Sequence, residues 1–271
     1  MRVEARGYTF DVTEGGPEGG DPVLLLHGFP QDRREFDPMT PRLHAAGLRT
    51  YAYDQRGYSP GARPEGVGAY KLSEATADAV AVLDALGCES AHVIGHDWGA
   101  QVGWLLAAQH PDRVRTLTAV SVPHPRALGL ALRSRPSQRA RFAYMGVFRS
   151  PVAERLLLAR RGLMLRQMMK QIGDRAGLYA DAMAEPGRLT GALNWYRALS
   201  PDQLRSTGVI TVPTTYVWSD RDPVVGLTAV LRTADWVEAD YQLVAMKGIS
   251  HWVPEEAPGA LADAALARIG V

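Results

Sequence analysis

The chain has 271 residues, 46% hydrophobic and 22% charged, enough for one large domain or a domain with a sizeable insertion, and it is neither disordered nor fibrous. Thirty Lys and Arg against 29 Asp and Glu leave a formal charge of +1, which argues against a nucleic-acid partner. A single cysteine, Cys88, excludes an internal disulfide framework, and no signal-like apolar region or membrane-length apolar stretch is present, so a cytoplasmic protein without a membrane span is expected.

In chain order, Val23-Leu24-Leu25-Leu26 is a short apolar run closed by Gly28 and Pro30, which reads as a buried strand. Arg49 to Tyr53 reads as a second. Apolar residues at helical spacing from Leu72 to Leu86, stopped by Gly87, predict a helix. Strand Ala91 to Ile94 then leads into a helix over Gln101 to Gln109, and Val114 to Val122 is strand-like. Pro213 to Trp218 and Tyr241 to Ala245 predict two further strands, and Glu255 to Ile269 a closing helix. This alternation predicts an α/β layered fold with a mostly parallel sheet.

Residues 123–207 break the alternation. They hold no good strand, carry a helical run from Val152 to Met169, and bear 15 basic against 5 acidic residues, a net of +10 that leaves −9 on the remainder. The segment is therefore expected to be a helical lid inserted between two parts of one core, 1–122 and 208–271. Most of its arginines are expected to form solvated faces or to pair with the acidic core; the alternative is that some steer an anionic substrate.

The strand Ala91 to Ile94 runs into Gly95-His96-Asp97-Trp98-Gly99 and then a helix, the context of a nucleophile elbow, where flanking glycines tolerate a strained central residue. That residue is an aspartate. A carboxylate attacking an acyl carbonyl would form only an anhydride, whereas attack on an sp3 carbon gives a stable ester. Candidate substrates are thus epoxides or alkyl halides. Breaking such an ester needs a water-activating base and an acid to orient it. His251 lies after the last strand, and Asp220 and Asp222 both follow the preceding one. The order nucleophile, acid, histidine is that of the α/β-hydrolase fold. The amides of Phe29, after the first long strand, and of Trp98, after the nucleophile, are the candidate oxyanion donors.

With those residues placed, the chain resembles the epoxide hydrolases of the α/β-hydrolase superfamily and, more loosely, the dehalogenases that share an aspartate nucleophile. The resemblance rests on His27-Gly28-Phe29-Pro30, Tyr53-Asp54-Gln55-Arg56-Gly57, Gly95 to Ala100, Ser121-Val122-Pro123-His124-Pro125, Asp222 and His251-Trp252. It implies Asp222, rather than Asp220, as the acid. It also implies two lid tyrosines that bind the epoxide oxygen and protonate the alkoxide: Tyr196 in Leu193-Asn194-Trp195-Tyr196-Arg197, and Tyr144, four residues before Phe148. Phe29, Trp98, His124, Trp195 and Trp252 complete the expected substrate contacts. Haloalkane dehalogenases commonly have a side-chain amide where this chain has Phe29, and fluoroacetate dehalogenases have arginines where it has Trp98 and Gln101, so the resemblance to both is looser.

The resemblance implies conversion of a small-molecule epoxide and water to a vicinal diol through an ester on Asp97, with no metal or organic cofactor. Neutral His251, held by Asp222, would take the water proton. His27 and His96 are expected to be structural. The remaining readings are a dehalogenase on the same Asp97 and a non-hydrolytic member of the fold. Oligomeric state, monomer or homodimer, is open.

Overall fold

In the computed structural model, which describes all 271 residues, the sheet begins before the first long apolar run. Val3 and Ala5 alternate with exposed neighbours, and Arg6 and Gly7 take φ of 52° and 76°. Two left-handed residues form the tight turn whose twist suits a hairpin. Strands β1 (Arg2–Ala5) and β2 (Tyr8–Gly15) accordingly pair antiparallel, Ala5 opposite Tyr8. Their apolar content is too sparse to stand out in the sequence: Val3, Ala5, Phe10 and Val12 are their only buried residues.

The remaining strands follow the apolar runs closely. They are β3 (Asp21–Leu26), β4 (Leu48–Tyr53), β5 (Ala91–His96), β6 (Val114–Val120), β7 (Thr214–Ser219) and β8 (Tyr241–Met246). One eight-stranded sheet results, in the order β1-β2-β4-β3-β5-β6-β7-β8. From β4 to β8 every pairing is parallel, and β2 joins β4 antiparallel. Strands covered on both faces read as continuous apolar runs, and Val23 to Leu26 are wholly buried.

Helices α1 (Thr40–Ala45), α2 (Leu72–Ala85) and α3 (Trp98–Gln109) precede the long excursion from the sheet. Between β6 and β7 the chain forms α4 (Pro125–Ser134), α5 (Pro136–Arg141), α6 (Tyr144–Arg149), α7 (Ala153–Met168), α8 (Arg175–Ala182), α9 (Arg188–Ala198) and α10 (Pro201–Ser206). After it come α11 (Leu227–Arg232), α12 (Val253–Glu256) and α13 (Pro258–Ile269). Helices α2 and α3 cover one face of the sheet in a core that continues into the inserted helices, while α1 and α13 cover the other. No helix is long and apolar enough to cross a membrane.

The run from Val152 to Met169 is not one helix. Arg160, Arg161 and Gly162 take φ of 51°, 56° and 70°, breaking α7 into two short segments. The break turns Leu157 and Leu165, both fully buried, into one inner cluster and brings Gly162 against Ala180 of α8. Helical periodicity alone cannot register this, because each segment keeps the 3.6-residue spacing.

Candidate active site

Parallel pairing puts the C-terminal ends of β3, β5, β7 and β8 on one edge, where open α/β sheets hold their sites. At the end of β5, Asp97 sits between strand and helix with φ 51° and ψ −114°, a conformation that L-residues rarely adopt. The turn closes only because its neighbours lack side chains. A Cβ on Gly99 would lie 1.8 Å from the Leu26 carbonyl oxygen, and one on Gly28 would lie 2.5 Å from the Asp97 Cβ.

Three of the predicted residues come together at this edge. His251 Nδ1 donates to Asp222 Oδ2 at 2.8 Å, and His251 Nε2 faces Asp97 Oδ2 at 3.4 Å. The other oxygen of Asp222 accepts the amides of Val224 and Val225 at 2.6 and 3.0 Å, so its orientation is held by backbone. Asp220 instead accepts the Gly248 amide and takes no part in the cluster. The Phe29 amide donates to Asp97 Oδ1 at 3.0 Å, and the Phe29–Pro30 peptide is cis. The Trp98 amide makes no such bond to the resting carboxylate.

Burial opposes charge on His251, yet the two carboxylates outweigh it and raise its pKa to about 10. Burial likewise opposes charge on Asp97, but the His251 hydrogen bond and charge, with the Phe29 amide, hold its pKa below the usual value. The resting pair is therefore imidazolium and carboxylate at neutral pH.

A second buried pair, not foreseen from the sequence, lies behind the first. His96 Nε2 donates to the His251 carbonyl at 2.9 Å, so its Nδ1 is left as an acceptor, 3.2 Å from Glu35 Oε2. Burial lowers the His96 pKa to about 4. Burial, with Glu255 and Asp97 nearby, pushes the Glu35 pKa well above the carboxylate range. Both shifts favour the neutral forms, in which Glu35 donates its proton to His96. Ser121 Oγ adds a second bond to the His251 carbonyl at 2.8 Å. His96 is structural, as expected, with His251 as the residue it positions. Glu35 carried no signal in the sequence because its partner stands 61 residues away.

Asp97 opens onto a cavity of about 300 Å³ whose lining includes Phe29, Tyr144, Phe148, Tyr196, His251 and Trp252. A side chamber of about 40 Å³, lined by Trp98 and Gln101 among others, shares Asp97 and both tyrosines. The two tyrosine rings meet edge to face at 6.2 Å, and Tyr196 packs against Trp98, Phe29 and Phe148 at 5.0, 5.3 and 4.9 Å. Burial, with Asp97 nearby, raises both phenol pKa values, so both keep their protons at neutral pH.

Two expected substrate contacts stand elsewhere. His124 is fully buried outside the cavity, where its Nε2 donates to the Gly208 carbonyl, its Nδ1 caps the Arg126 amide, and its ring stacks on Trp236 at 5.7 Å. Trp195 donates its indole N–H to the Arg56 carbonyl and anchors α9 to the core. Each faces the core rather than the cavity because it satisfies a buried polar group there.

A family model of the alpha/beta hydrolase fold matches residues 21–258. Epoxide hydrolase A of Mycobacterium tuberculosis is 32% identical, covering 97% of this chain and 95% of the relative. AB hydrolase superfamily protein YfhM of Bacillus subtilis is 31% identical, over 94% and 92%. The crystal structure of epoxide hydrolase A from Mycobacterium thermoresistibile is 29% identical with a TM-score of 0.88, over 100% and 97%. With an aspartate at the elbow and relatives of this length and identity, the chain belongs to the α/β-hydrolase superfamily and, within it, to the epoxide hydrolases.

Proposed function

We propose that the protein opens an epoxide to a vicinal diol through a covalent ester on Asp97, with residues 123–207 serving as the lid over the reaction. The observation that carries this reading is the meeting of Asp97, His251 and two phenols in one largely apolar cavity, with Asp222 bonded to His251 behind it. Tyr144 and Tyr196 bind the epoxide oxygen, a carboxylate oxygen of Asp97 attacks a ring carbon, and the carbon–oxygen bond breaks as a phenol protonates the departing oxygen. Substrate contacts come from Phe29, Trp98 and Trp252 as well as the tyrosines.

Ester formation removes the negative charge of Asp97. His251 then loses one of the two carboxylates that hold its proton, its pKa falls, and that proton restores the phenol. The neutral imidazole next takes a proton from water, and the hydroxide attacks the Asp97 carbonyl carbon while the Phe29 amide supports the developing oxyanion. Collapse releases the diol; its departing oxygen takes the remaining hydroxyl proton of the acid, leaving Asp97 ionised and His251 protonated. The first step thus prepares the base for the second.

The test is intact-mass analysis of His251→Gln after incubation with a panel of epoxides and alkyl halides. Addition of a whole epoxide mass, mapping to Asp97, is the expected result. Addition of an alkyl group from a halide alone would make the protein a dehalogenase, and no adduct on folded protein would remove Asp97 as the nucleophile for this panel.

A further inference from the structure

The cavity carries one cation that the hydrolytic chemistry does not use. Arg141, at the end of α5, lines it together with Asp97 and His251, and these three are its only charged residues. Nη1 of Arg141 donates to the carbonyls of Asp222 and Pro223 at 3.0 and 2.9 Å. Two backbone acceptors fix the guanidinium in place without neutralising it. No carboxylate pairs with it: Asp97 is held by Phe29 and His251, and both oxygens of Asp222 are occupied. Five of the thirteen other arginines in this segment, Arg166, Arg175, Arg188, Arg197 and Arg205, are instead each bound to an acid; what sets Arg141 apart is its place in the cavity wall. Arg141 is exposed, whereas Tyr196 is buried and Tyr144 half-buried. Between them the wall is mostly apolar, formed by Val147, Phe148, Met164, Met168 and Val224, with Gln171 as a neutral polar neighbour.

Resting on the epoxide-hydrolase reading above, we propose that Arg141 is a specificity-determining residue that selects epoxides bearing a terminal carboxylate on an apolar chain. A planar guanidinium with free N–H groups suits a carboxylate geometrically. The apolar wall takes the chain, and the epoxide end reaches the two phenols. A carboxylate in the opposite sense would lie against ionised Asp97 and be repelled, so the charge also sets which end of the substrate enters first.

The experiment compares kcat/KM for straight-chain epoxides of matched length ending in a carboxylate, a primary amide or an ammonium group, in wild type, Arg141→Gln and Arg141→Glu. Wild type should favour the carboxylate over the isosteric amide by about tenfold, the size of one charge-assisted hydrogen bond. Arg141→Gln should abolish that ratio, and Arg141→Glu should invert it toward the ammonium substrate, both chiefly through KM. Equal losses on all three substrates would show that Arg141 only holds the Asp222 loop, and would overturn the proposal. So would a wild type that turns over the amide with no preference for the carboxylate, a result that leaves epoxide hydrolysis itself intact. Failure to turn over any of the three would remove both readings together.

Discussion

At the scale of single residues, the site works by setting protonation states against their usual values. Tyr144 and Tyr196 keep their protons because burial beside Asp97 makes phenolate costly, and His251 keeps its proton because two carboxylates face it. Replacing Tyr196 with Phe should therefore lower the rate of ester formation by about 10²- to 10³-fold, the cost of one donor at a developing oxyanion. Tyr144→Phe should act in the same direction, and the double variant should lose more than either single one. Stopped-flow tryptophan fluorescence would follow the step, since Trp98 and Trp252 lie beside the reacting centre. Hydrolysis of a preformed ester should be affected far less, because the proposed role of the phenols is in the opening of the ring. His96 and Glu35 belong to this scale too: His96 holds the His251 carbonyl, Glu35 holds His96, and burial disfavours charge on both.

Among the elements, two sharp turns decide where the chemistry sits. The β5–α3 elbow requires glycine at 99, since a methyl there would overlap the Leu26 carbonyl. The break in α7 requires three consecutive left-handed residues, of which Gly162 alone has no Cβ penalty. Gly162→Ala keeps a positive φ of 70° and puts its Cβ 3.3 Å from the Ala180 Cβ. It should destabilise the protein by about 1 kcal/mol, read as a lower denaturant midpoint at unchanged m-value. An increase in stability would mean that the turn straightens without loss. Met168 and the second segment of α7 also line the cavity and accept the Trp252 indole N–H, so the same turn positions one wall of the pocket.

For the whole molecule, the inserted helices are tied to the core by buried polar contacts as well as by apolar packing. Arg188 of α9 reaches Asp32 at 2.7 Å, and Tyr179 of α8 donates to Glu255 of α12. Burial works against charge on Asp32, but Arg34 and Arg188 bring its pKa down to about 2. A depressed carboxylate adds stability that is present above its unfolded value of 3.8 and is lost as pH falls toward about 2. His251 has the opposite sign. Its raised pKa adds stability that is complete below 6.5 and is lost as pH rises to about 10. Thermal melts across pH should therefore show wild type losing its advantage over His251→Gln between those two values. A constant difference across that window would show that His251 does not hold its proton in the folded protein.

The sequence alone determined the α/β order of strands and helices, the elbow with Asp97 at its centre, and the placing of Asp222 and His251 after later strands. These are local matters: a strained turn demands glycines next to it, and a strand buried on both faces demands an unbroken apolar run. Tertiary structure decided what depends on partners remote in the chain. It paired Glu35 with His96, turned His124 and Trp195 toward the core, and put Asp222 on His251 where the residues had left Asp220 open. It also made His251 a cation at rest, since that charge depends on two carboxylates 29 and 154 residues away and on the water excluded around them. Local sterics act between neighbours in sequence, whereas burial and electrostatics act between neighbours in space, and only folding makes the second kind of neighbour.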